Sequence, residues 1–447
     1  MKRFAPPEAV VMLMLETTNY PMHIGGMQVF RPPAGAGPDF AHQVYEAMRS
    51  HTAVDKKWAG HPSRNRFGRS IVRWEYEDEV DLDYHLRYTT VSPPGGEREV
   101  LDLISDLHAK PLNRDRPLWE VHVIDGLADG RFATYIKGHH ALADGVSGAR
   151  MSQQVLSPDP HDDTVRVAWS PRSRHASAPG ATRKQVVGPL KFYAQLAKSF
   201  PVIRQALRDR ELLPWMRAPR TLLNVGSGTS RRCRVMSFPV ERITKVASVS
   251  GVSFNDVALA MTSGALRDYL SGHNALPDAP LVAWVPVNIR GDEDALGDNI
   301  IGAALCNLAT HVDDSANRLE IIHASMKHNI KLVRELPKNV ALNLSGVLVL
   351  PLSGQRGLRA RIPPTFNVTI SYVRGQDAPL YRKGALLEDF YGFLPTLRGN
   401  ALNIVLFATS EHLDFGFAAC AQAVPDLDVL TGNLETALSD LERSAGL

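Results

Sequence analysis

The chain has 447 residues, of which 44% are hydrophobic and 22% are charged. These values exclude a chain that is disordered throughout, and the length favours two domains over one. Its three cysteines include no CxxC pair, which disfavours a disulfide framework or a zinc module and fits a reducing compartment. The net charge of +3 conceals a basic stretch, Arg166 to Arg234, with fifteen Lys or Arg against two acids.

The first part of the chain predicts an α/β unit. Lys2 and Arg3 precede an apolar run, Ala9 to Leu15, as in a secretory signal. That run is short and lacks a small-residue cleavage site, so it predicts a helix instead. Hydrophobic spacing predicts further helices over 39–51 and 97–110, and strands over 25–30, 69–76, 119–124 and 132–137.

Two adjacent histidines, His139 and His140, follow the last of these strands and precede a helix predicted from Ser147. Successive side chains of a strand point to opposite faces, so one of the two faces a given cleft. A neutral imidazole can take a proton from a hydroxyl near neutral pH. Asp144 either contacts the imidazole or fixes the turn by pairing with a distant arginine, and the residues alone leave both open.

The composition changes after residue 156. Residues 157–234 are rich in Pro, Ser, Arg and Ala, which predicts a crossover linker, with an amphipathic helix between Leu190 and Leu207. Its basic residues either form a solvated linker or attract anionic lipid headgroups. Nucleic acid is a less favoured partner, because no recognised nucleic-acid module accompanies the charge.

A second unit is predicted from residue 235 to 447. Ser253 to Asp256 matches a capping box at the start of a helix. Phe366 to Val373 alternates apolar and polar residues, as a strand with one buried face does. A strand over 281–289, a hairpin over 402–419 and a closing leucine-rich helix over 427–441 complete the predicted elements.

Five motifs occur in order along nearly the whole chain. His139 to Gly145 reads HHxxxDG, the active-site signature of a superfamily of CoA-dependent acyltransferases. The others are LETxxxPMHxGG at Leu15 to Gly26, Pro117-Leu118-Trp119, Asn255-Asp256, and NVTIS at Asn367 to Ser371. Together they resemble the bacterial wax ester synthase/diacylglycerol acyltransferase family.

The resemblance implies an α/β fold of two chloramphenicol-acetyltransferase-like domains with mixed sheets and a tunnel between them. The domains would be 1–156, which carries HHxxxDG, and 235–447, joined by the crossover 157–234. It also implies an O-acyltransferase that moves a long-chain acyl group from acyl-CoA to diacylglycerol or a long-chain alcohol. Acyl-CoA would be a substrate, with no cofactor. Two alternatives stay open: an acyltransferase of the same superfamily acting on a polyketide or sugar, and a non-catalytic lipid-binding relative.

The same resemblance assigns roles to single residues. His140 would be the general base, and Asn255 would donate to the oxyanion, with Thr369 and Ser371 as alternative donors. Five residues would be structural or wall-forming around them: His139, Gly145, Pro117, Leu118 and Trp119. Asp144 would pair with Arg290 and tie the turn to the second domain.

Three further expectations follow. Zinc is disfavoured, because adjacent strand histidines diverge and no further ligand is recognisable. Tyr372 and Arg374 replace residues of the family's usual continuation of NVTIS, which leaves the acceptor preference open. The apolar segment Val340 to Leu352 falls short of the ~20 residues needed to span a bilayer, so we expect a cytoplasmic protein whose membrane or lipid-droplet attachment, if any, is peripheral. The oligomeric state is open.

Overall fold

The computed structural model describes residues 3–4, 7–65, 68–142, 148, 151–171, 198–199, 201, 218–226, 228–288, 301–337, 340–341, 363–375 and 377–447. Its helices are α1 (Pro7–Leu15), α2 (Phe40–Arg49), α3 (Leu82–His85), α4 (Glu97–Ala109), α5 (Val240–Ser250), α6 (Phe254–Gly272), α7 (Ser315–Glu335) and α8 (Leu427–Ser444). Its strands are β1 (Arg3–Phe4), β2 (His23–Arg31), β3 (Gly60–Asn65), β4 (Gly68–Tyr76), β5 (Leu86–Thr90), β6 (Trp119–Asp125), β7 (Phe132–His139), β8 (Arg231–Pro239), β9 (Val282–Asn288), β10 (Ile301–Asn307), β11 (Val368–Arg374), β12 (Tyr381–Arg382), β13 (Ala385–Phe393), β14 (Leu402–Ala408) and β15 (His412–Cys420).

The described strands form two six-stranded sheets and one small sheet. The first sheet has the order β12-β13-β2-β7-β6-β5 and the second has the order β10-β9-β11-β14-β15-β8, while β1, β4 and β3 form the small sheet. The first sheet is parallel at β5 and β6, and the second is parallel where β11 lies between β9 and β14. The other pairs are antiparallel. This confirms the predicted α/β fold with mixed sheets.

Many predicted elements are confirmed close to their expected bounds. Strands β6 and β7 pair antiparallel, as do β14 and β15. Helix α6 begins with the predicted capping box, because the Ser253 side chain accepts from the Asp256 amide and the Asp256 carboxylate accepts from the Ser253 amide. The linker helix predicted between Leu190 and Leu207 lies outside the described residues except for 198–199 and 201, and the helix predicted from Ser147 is described only at 148 and 151–153.

Two strands from the last third of the chain join the first sheet. Strand β13 pairs antiparallel with β2, with Phe390 opposite Gln28, and β12 continues the sheet at its edge. The same strand crosses β15 of the second sheet at two glycines. A methyl group on Gly416 would lie 2.2 Å from the Gly392 carbonyl oxygen, so the two backbones touch with no side chain between them. The last third of the chain therefore contributes strands to both six-stranded sheets.

The second sheet is covered by helices on one side. Strands β9, β11, β14 and β15 bury apolar side chains there against α5 to α8. The first sheet is covered on one face by α2 and on the other by α4. In the described part of the chain, every helix is too short or too polar to cross a bilayer.

Candidate active site

A cleft separates the two six-stranded sheets where β13 crosses between them. It encloses ≈ 860 Å³, counting the part open to solvent. Strands of both sheets line it, and most of the lining is apolar. The side chains that matter below are Ile24, Ile136, Val373, Phe390, Val405 and Phe407, with Ser371 as a polar exception. The shape and lining suit an aliphatic group.

The two histidines stand at the end of β7, beside this cleft, and their backbone is held from both sides. The amide of His139 donates to the Leu118 carbonyl at 2.9 Å, and the amide of His140 donates to the Met22 carbonyl at 2.8 Å. The turn that follows is closed by the Leu142 amide, which donates to the His139 carbonyl at 2.9 Å. Both histidines are therefore placed by backbone contacts of neighbouring strands rather than by a free loop.

The His139 ring is fully buried and oriented. The Ala141 amide donates to its Nδ1 at 3.0 Å, so in the neutral ring Nε2 carries the hydrogen. That nitrogen lies 3.5 Å from Oε2 of Glu16. With its one acceptor nitrogen engaged, neutral His139 has no lone pair left for a substrate proton, which supports its predicted orienting role.

The two histidines are placed differently. Ile136 and Gly138 of β7 line the cleft, but β7 ends at His139, and His140 is the first residue of the turn that follows. His139 also borders the cleft, whereas His140 is partly buried and is absent from the described lining. Asp144 and Gly145 lie outside the described residues, as does Arg290, so the predicted pair between Asp144 and Arg290 stays a prediction.

Glu16 is a residue of this site that the sequence analysis did not single out. Its side chain is 5% exposed, and its Oε1 accepts from the Met22 amide at 3.1 Å. Burial by itself would raise the pKa of Glu16, but contacts with His139 and Arg114 hold it below its ordinary value. Arg114 pairs with Oε2 and also donates to the Leu13 carbonyl at 3.0 Å. The sequence did contain a signal for this residue, because Glu16 and Met22 both belong to the motif LETxxxPMHxGG.

A buried ion pair lies on the face of β7 that carries His139, two residues earlier in the chain. Lys137 is 1% exposed, and its Nζ donates to the carbonyls of Leu107 and Lys110 at 3.0 and 3.1 Å, at the end of α4. The Nζ also lies 3.2 Å from Oε2 of Glu120, and His122 lies 3.7 Å from the same oxygen. Burial opposes the charge of Glu120, but contact with His122 and Lys137 lowers its pKa to about 2. The pair joins β6 and β7 to α4.

The three candidate oxyanion donors are placed differently. Ser371 lines the cleft. Thr369, two residues earlier on β11, is buried, and its hydroxyl accepts from Asn400 at 3.2 Å. The Oδ1 of Asn367 accepts from the Val282 amide at 2.8 Å, which ties β11 to β9. Of the polar residues in NVTIS, Ser371 is thus the one that the cleft reaches.

The Asn255-Asp256 motif divides into two parts. Asp256 completes the capping box and also accepts from Nδ1 of His323 at 2.8 Å. Asn255 is absent from the described lining of the cleft, and its buried Oδ1 has no hydrogen-bond partner within the described residues. Its predicted role as a donor to the oxyanion stays a prediction.

Pro117-Leu118-Trp119 supports the site from behind. All three residues are buried, and none belongs to the cleft lining as far as the chain is described. The indole of Trp119 donates to the carbonyl of Trp58 at 2.8 Å, and Trp58 does line the cleft. The motif therefore packs behind the cleft lining, and its Leu118 carbonyl accepts from the His139 amide.

The described residues offer neither a metal cluster nor an activated thiol. No group of three or more His, Cys, Asp or Glu is arranged there to hold a metal ion. The three cysteines are free and buried, and burial raises the pKa of Cys233 to about 12 and that of Cys306 further. Neither of these two thiols is suited to form a covalent acyl intermediate.

Comparisons with known proteins agree over the whole chain. A family model described as the wax ester synthase/diacylglycerol acyltransferase catalytic domain matches residues 7–258, and one for the C-terminal domain of the same family matches 297–442. A Mycobacterium tuberculosis protein named probable diacylglycerol O-acyltransferase tgs2 is 42% identical over 449 residues, covering 99% of both chains. A second protein of that organism, provisionally given the same activity, is 44% identical over 99% of this chain and 100% of its own.

Two solved structures have a similar fold. The wax ester synthase/diacylglycerol acyltransferase from Marinobacter aquaeolei superposes with a TM-score of 0.78 at 33% identity, covering 100% of both chains. The starter condensation domain of rhizomide synthetase, solved with C8-CoA and Leu-SNAC, superposes with a TM-score of 0.60 over 100% of this chain and 95% of its own. At 11% identity the second match concerns the fold alone.

Proposed function

The chain belongs to the wax ester synthase/diacylglycerol acyltransferase family, and from that premise we propose that it is an acyl-CoA-dependent O-acyltransferase. It moves a long-chain acyl group from acyl-CoA to diacylglycerol or a long-chain alcohol, giving triacylglycerol or a wax ester. The relatives named for diacylglycerol O-acyltransferase activity support the acceptor. The mostly apolar lining of the cleft supports an aliphatic acyl group as the one transferred.

His140 is the general base of the proposed reaction. It takes the proton of the acceptor hydroxyl as that oxygen attacks the thioester carbonyl, which forms a carbon–oxygen bond and a tetrahedral oxyanion. A hydroxyl or amide donor stabilises the oxyanion, and Ser371 and Asn255 are the candidates. The carbon–sulfur bond then breaks, and protonated His140 returns its proton to the leaving CoA thiolate. Acyl donor and acceptor react directly, without an acyl-enzyme.

The single observation that carries this proposal is the apolar cleft bordered by His139, the residue directly before His140. Its walls come from both sheets, so a substrate within it is shielded from water on opposite sides. Burying a methylene in such a cleft contributes about 0.8 kcal/mol, which favours long aliphatic chains over short ones. His139 is held in one orientation by Ala141 and Glu16, and the backbone of His140 is held by its amide, which donates to the Met22 carbonyl.

The proposed products are hydrophobic, which suits an enzyme that works at a membrane or lipid-droplet surface. The basic crossover 157–234 is the segment we propose for such peripheral attachment, because each Lys or Arg near an anionic surface adds on the order of 1 kcal/mol. Flotation with vesicles containing anionic lipid should recover the protein, and neutralising the crossover's Lys and Arg should release it. Equal flotation of both forms would contradict this attachment.

The activity is tested by following thiol release from palmitoyl-CoA with diacylglycerol, hexadecanol or a sugar as the acceptor. We expect release with the first two and the matching ester as product. His140→Ala should lower the rate by roughly 10² to 10⁴-fold, because a general base contributes about that factor. The matched control is His42→Ala, which removes an exposed histidine of α2.

The possible outcomes separate the claims. Undiminished ester formation by His140→Ala would show that another group is the base. Transfer only to the sugar would place the chain with other acyltransferases of the superfamily. Binding of acyl-CoA without thiol release under any condition would indicate a lipid-binding protein and overturn the proposed activity.

A further inference from the structure

Gly138 lies on β7, directly before the two histidines, and lines the cleft. It pairs with Ile24 of β2 on one side and with Trp119 of β6 on the other. A glycine inside a strand weakens it, because the residue brings no side chain to pack and loses more backbone entropy on folding. The position therefore needs a physical reason.

Other glycines of the cleft have such a reason in close packing. A methyl group on Gly26 would lie 3.2 Å from the ring of Phe390, and one on Gly392 would lie 2.7 Å from a methyl of Val405. These distances are tight or forbidden for a real side chain. Glycine at those two positions is explained by the neighbours that occupy the space.

Gly138 differs from them. A methyl group placed on it would meet no atom of the described chain within 4 Å, and its backbone is not in the left-handed region that favours glycine. Neither packing against described neighbours nor backbone conformation calls for glycine here. As far as the chain is described, the space beside Gly138 is open and belongs to the cleft.

The empty volume is close to the reacting end. Gly138 is two residues before His140, so their Cα atoms lie at most on the order of 7 Å apart. A side chain at position 138 would project into the path of an acyl chain a few methylenes beyond the thioester carbonyl. It would not project at the far end of the cleft.

We propose that Gly138 determines which acyl chains the enzyme accepts, because the space it leaves lets an unbranched long chain pass the reacting end of the cleft. This inference rests on the proposed function and adds a specificity-determining residue to it. A side chain at position 138 narrows this passage. A long chain must thread the passage, whereas a short acyl group ends before it.

The test compares Gly138→Ala and Gly138→Val with wild type on acyl-CoA donors of two, four, eight and sixteen carbons. The readout is the ratio of kcat/KM for the sixteen-carbon donor to kcat/KM for the four-carbon donor. We expect this ratio to fall stepwise, and to fall at least tenfold for valine, because one methylene in a pocket changes selectivity by about 10 to 200-fold. Valine suits a strand, so the fold should be retained, as thermal melting would show.

Two further variants make the test specific. Gly432→Val is the matched control, because Gly432 is exposed on α8 and its added side chain meets nothing within 4 Å of the described chain. Ile24→Ala in the Gly138→Val background returns volume from the cross-strand neighbour on the same face. We expect the control to keep the wild-type ratio and the double variant to regain part of the long-chain activity.

The outcomes separate this inference from the proposed function. If folded Gly138→Val keeps the wild-type ratio within twofold, the role of Gly138 is refuted while the transferase activity stands. If wild type transfers no acyl group at all, the proposed function fails. Calorimetric binding of palmitoyl-CoA and butyryl-CoA then decides the role of Gly138, because only the affinity for the longer ligand should fall in the valine variant.

Discussion

The two six-stranded sheets differ in the kind of side chain that predominates beneath their helices. The second sheet packs an apolar layer against α5 to α8, with leucines of α8 among its fully buried residues. The first sheet buries charged and titratable side chains beside α4. They include His23, Glu120, His122, Lys137 and His139. The sheet that carries His139 and His140 thus gives up part of its apolar core to buried polar contacts.

The difference indicates a division of labour. Buried polar groups contribute to one defined geometry only when they are all satisfied, and they lose much when one partner is removed. An apolar layer contributes stability in proportion to the area it buries, and this contribution does not depend on the orientation of individual groups. We therefore expect substitutions among the buried polar groups of the first sheet to affect stability and catalysis together, and substitutions in the apolar layer of the second sheet to affect stability alone.

Breaking the buried ion pair should have the largest effect on stability. Glu120→Gln leaves Lys137 buried without its countercharge, which should lower the free energy of unfolding by roughly 3–5 kcal/mol and reduce transfer activity. Because the folded-state pKa of Glu120 is lowered, to about 2, its contribution is present above about pH 4.5 and is lost as the pH falls towards 2. Urea unfolding at pH 7 measures the change.

A double variant provides the control. Glu120→Leu with Lys137→Met removes both charges and replaces them with apolar side chains, which is often neutral for buried pairs. We expect it to recover most of the stability. If the single variant were as stable as wild type, the contrast between the two sheets would be wrong.

The second sheet provides the opposite case. Leu434 of α8 is fully buried, and Leu434→Ala should cost about 3 kcal/mol through lost burial and a cavity. The kcat/KM of the folded protein should stay at the wild-type value below the melting transition. Val429→Ala, at a position 51% exposed on the same helix, should change stability by less than about 0.5 kcal/mol. A loss of kcat/KM in Leu434→Ala would contradict the division of labour.

The stability of the junction between the sheets should depend on pH, and this is the smallest of the three expected effects. Asp414 of β15 is fully buried, and its carboxylate accepts from Ser237 at 2.7 Å and from the Phe390 amide of β13 at 3.1 Å. Burial raises its pKa to about 7. The folded state therefore holds this proton more tightly than the unfolded state does, and stability falls as the pH rises from about 4 to 7.

The expected loss is roughly 2–3 kcal/mol between pH 5 and pH 8. Asp414→Asn removes the titrating carboxyl group. It should therefore flatten this dependence of stability on pH, and the variant should be more stable than wild type at pH 8. Chemical unfolding of both proteins at several pH values gives the comparison. Parallel pH curves for wild type and variant would show that Asp414 does not titrate in this range.

The sequence alone determined most of the local structure and the family. Hydrophobic spacing located the helices and strands near their bounds, because burial of one face imposes the period of each element. The five motifs identified the family and indicated the histidine pair, because an imidazole can take up a proton from a hydroxyl near neutral pH. Ser253 and Asp256 were correctly interpreted as a capping box, because such a box is a short-range interaction.

Only the tertiary structure decided which distant residues meet. No local pattern indicates that β13 returns to pair with β2, that Glu16 approaches His139, or that Lys137 reaches the end of α4. Each of these contacts depends on long-range strand pairing, and side-chain period reveals which face is buried but not what covers it. The open space beside Gly138 is of the same kind, because a glycine in a sequence does not reveal whether a neighbour or a substrate occupies the room it leaves.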